Sequence, residues 1–372
     1  MFRTPVFAVI AAALVVAATP VRADDNAPAM KELIKAAQAE GSVEVLLSGQ
    51  VPAKLRPLMP EFTKRYGVKI NFQVGGGDQN GQRILAERRV GRYTLDAWLG
   101  GANTALAQLV PNNALVPIND KLVDPDVTDL SKWYRGRHYY VDPDQKYILA
   151  FGAQPARPIS YNTKLLDPEQ IKSYEDLLDP KWKGKQVAWN PSMEGAAATT
   201  VALYLHPRVG EAWFTRWARD MKVTLIDDVR QGAEWVALGR FPIGLFGIAT
   251  QAEKMSREGF PIRGDLPHPM AEGEVLTSSA TNIMLMDRAP HPKAGQLFAN
   301  WILTREVQQE IVKLSRTTDS LREDIDDSML SPQYQRRHDV DYFIAFADHR
   351  YQTEQTQIMA RLREIMKEAG YR

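Results

Sequence analysis

The sequence predicts an α/β fold of two lobes, each with a mainly parallel sheet, and a ligand cleft between them. Three observations lead there. The chain has 372 residues, and the roughly 350 that follow its N-terminal segment exceed what one hydrophobic core ordinarily supports. Strand and helix patterns alternate with connections long enough for crossovers, so successive strands run parallel. The alternation breaks near residue 150, passes through extended segments and begins again, which places two sheets on one chain.

Apolar spacing from Lys31 to Glu40 is helical, and Gly41 ends it before Val43, Val45 and Leu47 alternate as a strand. A helix is expected over Pro52 to Tyr66, then a strand at Val68 to Phe72, a helix near Gln79 to Arg89, a strand at Leu95 to Leu99 and a helix near Thr104 to Leu109. Tyr147 to Phe151 and Pro158 to Tyr161 are extended segments suited to carry the chain between lobes. The second series comprises helix Tyr174 to Leu178, strand Gln186 to Trp189, helices Ala196 to Leu205 and Gly210 to Met221, strand Val223 to Ile226, helix Gly232 to Leu238 and strand Phe241 to Gly247. Val275 to Met286 reads as one extended return to the first lobe, followed by an amphipathic helix Pro292 to Lys313 and one or two C-terminal helices that cap a lobe. The expected division is residues 1–23 as a signal peptide, 24–155 as the first part of lobe 1, 156–272 as lobe 2, 273–325 as the return to lobe 1, and 326–372 as a C-terminal helical segment.

Met1, Phe2 and Arg3 give a short positive start, and Pro5 to Ala18 an apolar run too short to span a bilayer comfortably. With small residues around Ala23, this is the pattern of a cleaved secretory signal peptide, and the expected compartment is the periplasm. The chain has no cysteine, which excludes disulfides, thiolate metal sites, Cys nucleophiles and lipid attachment through an N-terminal Cys. A net charge of +1 with scattered Lys and Arg gives no footprint for nucleic acid.

Ligand groups in such sheets come from loops at the carboxyl ends of strands, where backbone N–H groups and helix N-termini converge. Four loops fit: Ser48-Gly49-Gln50, Gly75-Gly76-Gly77-Asp78-Gln79-Asn80, Gly100-Gly101-Ala102-Asn103 and Asn190-Pro191-Ser192-Met193-Glu194-Gly195. Glycine lets backbone approach a ligand, while Ser, Asn and Gln can fix an oxyanion or hydroxyl. Taken singly, each loop also reads as a turn plus helix cap; four at equivalent topological positions point to a cleft. The candidate ligand contacts are Ser48, Gly49, Gln50, Gly77, Asp78, Gly101, Asn103, Asn190, Ser192 and Gly195. Arg230 joins them as a clamp for a carboxylate or phosphate, with a surface pair to Asp227 or Asp228 as its alternative, and so does Ser279, from a polar run in the returning segment. The triple glycine lacks the Gly-Lys-Ser/Thr of a P-loop and the spacing of a dinucleotide site.

Catalysis finds no support. Asp227 and Asp228 are adjacent, as are Asp326 and Asp327, so neither pair converges on one face of a strand, and His138 has no H-x-x-x-H or H-E-x-x-H companion. No G-x-S-x-G elbow occurs. Trp98, Trp189 and Trp235 lie near candidate loops, where they can stack on a ligand or fill the core.

The segments Val43 to Gln50, Asp96 to Leu99, Ile159 to Thr163, Leu177 to Lys185 and Ala289 to Phe298, in this order, resemble the bacterial extracellular solute-binding proteins of ABC importers. The resemblance is to the ferric-iron-binding branch with its phosphonate, sugar-phosphate and polyamine relatives. It implies a type II periplasmic-binding-protein-like fold, lobe closure on a small ligand, an ABC permease in the inner membrane as partner, no cofactor, no enzymatic activity and a monomer. The branch's iron ligands are a histidine, a glutamate and two adjacent tyrosines. Val51 stands near the first position, Gly101-Ala102 near the second and Ala249-Thr250 near the third, and none supplies the anionic oxygen donors that Fe³⁺ requires. The expected ligand is therefore a small polar, anionic organic solute such as a phosphonate, sugar phosphate or carboxylate. Iron or an iron chelate is the alternative, and a secreted hydrolase the rival from another class.

Overall fold

A computed structural model describes residues 23–193, 196–278, 280–337 and 339–371; the expected signal peptide, Gly195 and Ser279 lie wholly or mainly outside them. Helix Pro28–Glu40 opens on Pro28, whose missing N–H costs nothing in a first turn. It buries Met30, Leu33 and Ala37, and ends at Gly41 in the left-handed region, with the Gly41 N–H donating to Ala37 O. The strands among the described residues are, in order, Ser42–Ser48 (β1), Lys69–Gly75 (β2), Ala97–Gly100 (β3), Leu115–Val116 (β4), Tyr139–Tyr140 (β5), Leu149–Ala150 (β6), Gly152–Pro155 (β7), Ile159–Asn162 (β8), Gln186–Trp189 (β9), Thr224–Ile226 (β10), Ile243–Leu245 (β11), Ile262–Arg263 (β12), Glu274–Thr277 (β13), Asn282–Met286 (β14), Asp319–Ser320 (β15) and Tyr342–Ile344 (β16).

They form three sheets. The first runs β2-β1-β3-β14-β6-β5, with β4 also on β14; the second runs β10-β9-β11-β8-β12; the third is β15-β7-β13-β16. Each of the first two has a parallel centre, β2-β1-β3 and β10-β9-β11. Antiparallel strands flank these centres: β14 on β3 in the first sheet and β8 on β11 in the second. The sheets are thus mixed, because a strand arriving from the other sheet need not follow the crossover rule that keeps βαβ units parallel. By connectivity β7 leads from the first sheet to the second and β13 leads back. These two crossing strands pair antiparallel, with Leu276 opposite Pro155.

Two main apolar cores accompany the sheets. One gathers Val45, Leu47, Phe62, Trp98, Leu149, Ile283, Phe298 and Trp301; Phe62 meets Phe298 and Trp301 edge to face, the arrangement that ring quadrupoles favour. The other holds Trp213, Phe214, Trp217 and Phe246 together with Ile358, Leu362, Ile365 and Met366. Helix Gln355–Glu368 thereby caps the second lobe with its apolar stripe.

Three expectations are corrected. The single helix over Pro52 to Tyr66 is broken into Gln50–Lys54, a 3₁₀ turn Arg56–Leu58 and Met59–Tyr66. Pro57 and Pro60 each take a first-turn position, because inside a helix each would remove a hydrogen bond and clash with the preceding turn. The amphipathic helix Pro292 to Lys313 is two helices, Pro292–Leu303 and Arg305–Ser315, parted at Thr304, whose backbone is extended. The returning segment Val275 to Met286 is two strands in different sheets, β13 and β14. Helix Ala249–Arg257 was not anticipated.

Candidate ligand-binding site

In the first lobe, β1, β2 and β3 end side by side. Ser48 is buried, and its Oγ accepts from Trp98 Nε1 at 2.6 Å. Gly100 makes this possible: a Cβ there would lie 2.1 Å from Ser48 Oγ and 2.3 Å from Trp98 Nε1. A Cβ on Gly77 would stand 3.9 Å from the same hydroxyl, so the ends of all three strands meet around Ser48. Gly49 lies against Ala280, and Asn282, fully buried at the start of β14, donates its amide to Gly100 O at 2.9 Å. Asp78 is exposed and accepts from Thr104 Oγ1 at 2.6 Å. Asn103 is exposed. Of the predicted residues, the structure brings Ser48, Gly49, Gly77 and Asp78 into one cluster, with Gly101 beside Gly100 and Gln50 opening helix Gln50–Lys54.

The helices that follow these strands share one property. Gln50–Lys54, Gly77–Arg89 and Ala102–Thr104 are preceded by Gly49, Gly76 and Gly101, and no side chain caps any of them. Some turns elsewhere are closed by Asp124, Asp167, Ser173 and Asp228 side chains, while Pro28–Glu40, Gly210–Asp220 and Pro292–Leu303 also start without one. First-turn N–H groups with no side-chain acceptor, at the positive end of a helix dipole, suit an anion.

In the second lobe, Asn190 Oδ1 accepts from Ser192 N at 3.1 Å and Ser192 Oγ at 2.8 Å, an Asx turn that holds Ser192 at the end of β9. Beside it, β11 ends in Phe246 and Gly247, both at positive φ. A Cβ on Gly247 would lie 2.1 Å from Trp189 Cε3, so this backbone lies flat on the Trp189 ring. The turn leads into helix Ala249–Arg257, again without a side-chain cap. Sequence reasoning missed this helix start; the signal available was Gly247 followed by small residues directly after an apolar strand. Arg230 is 77% exposed and donates Nε to Glu234 Oε1 at 3.1 Å, so its surface partner is neither Asp227 nor Asp228. Asp228 instead accepts from Arg230 N as the cap of Val229–Ala237.

Trp98 is fully buried. Trp235 lies under the Arg240 guanidinium, 4.0 Å from ring centroid to Cζ. His138 is a core histidine, edge-on to Trp133 and bonded to Val127 O. The positions that carry iron ligands in the resembling branch fall at helix starts: Val51 and Ala102 are buried, Ala249 is buried and Thr250 exposed. Among the described residues no group of three or more His, Asp or Glu side chains converges as a metal centre would require.

A cavity of about 320 Å³ lies elsewhere, between the crossing strands, the loop Asp265–Met270 and the segment Pro332–Tyr342. None of the sequence-predicted residues lines it.

Two lobes with parallel centres, joined by paired crossing strands and presenting glycine-rich strand ends, define the type II periplasmic-binding fold. Solved structures share it. FutA (IdiA) from Trichodesmium, in complex with iron and citrate, superposes with a TM-score of 0.66 at 19% identity, covering 89% of this chain and 100% of that one. AfuA from Actinobacillus pleuropneumoniae, with fructose-6-phosphate bound, gives 0.55 at 17% identity, covering 88% and 99%. Among curated relatives, Iron uptake protein A1 of Synechocystis is 27% identical over 262 residues, 68% of each chain. Residues 48–309 match the bacterial extracellular solute-binding protein family, and the chain belongs to that family. It is the solute-binding component of an ABC importer, a binding protein and not an enzyme; such proteins take up small ligands and work with ABC permeases. No helix among the described residues is long and apolar enough to cross a membrane.

Proposed function

We propose that the protein is exported to the periplasm with loss of residues 1–23, and acts there as a monomer that captures a small anionic organic solute. A phosphonate, sugar phosphate or carboxylate would lie between the strand-end loops of residues 24–155 with 273–325 and those of residues 156–272. The observation that carries this reading is the set of helices that start at strand ends without a side-chain cap. Backbone N–H groups there supply donors to an oxyanion, and the one carboxylate in these first turns, Asp78, is engaged by Thr104 Oγ1. Ser192, Asn103 and Arg230 add polar contacts as the lobes close. Because the ligand touches both lobes, it binds the closed form more tightly and shifts the equilibrium toward it, the form the inner-membrane permease then recognises.

A ferric chelate is the second reading, favoured by the iron- and citrate-bound Trichodesmium structure: the carboxylates of a chelator present the same oxyanions to the same N–H groups. A thermal-shift screen of the mature protein against phosphate esters, phosphonates, carboxylates and ferric citrate separates the two. An anion at about a hundred times its dissociation constant stabilises the fold by roughly 2.7 kcal/mol. A shift with ferric citrate and with no free anion would replace the first reading by the second, and silence across all of these would end both.

A further inference from the structure

We propose that the cavity between the crossing strands is a second binding site, one that takes a small organic monocation. The head of an alkylammonium would sit on Asp265 and Glu274, with its hydrocarbon part against the surrounding prolines, Leu266 and Met270. The volume, about 320 Å³, falls at the lower end of the range of small-molecule sites. Pro155, Pro158, Pro267 and Pro332 make much of the wall apolar and stiff.

Charge decides the class of ligand. Arg157 is already committed: it is paired with Glu253, donates to Tyr334 Oη at 3.1 Å and lies over the Tyr334 ring with Cζ 4.4 Å from the centroid. Arg337 is paired with Glu274, Nη2 to Oε1 at 3.4 Å. Asp265 has no hydrogen-bond or ion-pair partner among the described residues, although most of its surface is covered. Arg157 is matched by Glu253 behind the wall and Arg337 by Glu274 on it, which leaves the Asp265 carboxylate as the acid without an ion-pair partner among the described residues, and a monocation matches it. Without a partner such a group is costly to bury. Burial raises the Asp265 carboxyl above its ordinary value against the pull of Arg157, Arg337 and Arg263, and raises Glu274 to about 7 against that of Arg337. A metal ion fits less well, since no three donor side chains converge here.

The position gives such a ligand leverage. It would touch β7 at Pro155 and β13 at Glu274, the two strands that join the sheets, together with the loop after β12 and the segment before β16. Occupancy would stiffen the connection about which the lobes move.

Isothermal titration of the full mature chain with n-butylammonium chloride at pH 8, above the raised value of Glu274, tests the assignment. The expected result is one-to-one binding that potassium chloride at equal concentration does not reproduce. Asp265→Asn, which breaks no bond in the structure, should weaken binding at least tenfold. Glu274→Gln should weaken it as well, whereas Asp144→Asn, on an exposed carboxylate paired with Lys146, should leave it unchanged. Absence of one-to-one binding, or undiminished binding in both cavity variants, overturns the proposal. Because the probe is a cation, neither result bears on anion capture at the strand ends.

Discussion

Trp98 Nε1 donates to Ser48 Oγ at 2.6 Å, tying β3 to the last residue of β1 where both strands give way to the loops that form the candidate site. The indole occupies an acceptor position of the hydroxyl and holds it inside, so Ser48 sets the position of Gly49 and the helix behind it. Gly100, on the other side of the bond, has no room for a side chain.

Gly100→Ala should therefore act on the site and on the fold together. The new Cβ must displace either the indole or the hydroxyl, and overpacking of this kind costs about 1–3 kcal/mol. Urea denaturation should show that loss. Ser48→Ala, which leaves the indole N–H buried without an acceptor, should cost a similar amount.

Arg322 should be among the most sensitive positions for stability. None of its side chain is exposed. Nη2 donates to Asp126 Oδ1 at 3.0 Å and Asp324 Oδ2 at 2.8 Å, and Nη1 to Asp126 O at 3.0 Å and Leu303 O at 3.2 Å. Burial pushes the Asp126 carboxyl up, but the Arg305 N–H, Arg322 and Lys132 outweigh it and hold it below its ordinary value. Arg322→Met strips a buried carboxylate of its main counter-charge and should cost about 3–5 kcal/mol, read from the denaturation midpoint. In the wild type, the share of stability that Asp126 contributes is present above the ordinary carboxylate range and is lost as pH falls through its depressed value. The variant should show a weaker acid-side dependence, since the Arg305 N–H and Lys132 remain on Asp126.

Glu274 should give the opposite slope. Burial raises its carboxyl from 4.5 to about 7 against the pull of Arg337, so between those values the folded chain holds a proton that the unfolded chain has released. Its contribution is complete below about pH 4.5 and is lost as pH rises through about 7. The expected loss is on the order of 2 kcal/mol. Denaturation midpoints measured from pH 5 to 8 should fall in the wild type and be flatter in Glu274→Gln, and equal slopes would remove the group from the account.

Arg230 separates binding from stability. Its exposed pair with Glu234 is worth a few tenths of a kcal/mol, so Arg230→Ala should stay within about 0.5 kcal/mol of the wild type. Loss of the cap in Asp228→Ala should cost about 1 kcal/mol. If the guanidinium crosses to the ligand on closure, Arg230→Ala weakens binding of the anion found by screening about tenfold. Unchanged affinity would confine Arg230 to the surface pair.

Much of the framework was legible because it rests on local signals. Gly41 and Gly67 end helices where the pattern says they should, and the alternation at Val43 to Leu47 marks β1 within a residue at either end. The glycine loops were legible for the same reason, since their positions follow from strand ends. Less legible were the breaks at Pro57, Pro60 and Thr304, where an amphipathic stripe continues across a backbone that does not. The helix Ala249–Arg257 was also missed, because the turn before it rests on the close approach of Gly247 to the Trp189 ring, more than fifty residues away in sequence.

Taken alone, the sequence determined the α/β class, the two-lobe plan and the absence of thiol chemistry, which rest on residue type and periodicity along the chain, and the family resemblance, which rests on the order of its matching segments. Only the tertiary structure decided which groups are free to meet a ligand. Ser48 is engaged by Trp98, Arg230 is paired with Glu234, and Asp265 has no hydrogen-bond or ion-pair partner among the described residues, beside two arginines that do. A side chain's availability depends on what the fold brings within about 3 Å of it, and contacts between residues far apart in sequence leave no trace in local spacing.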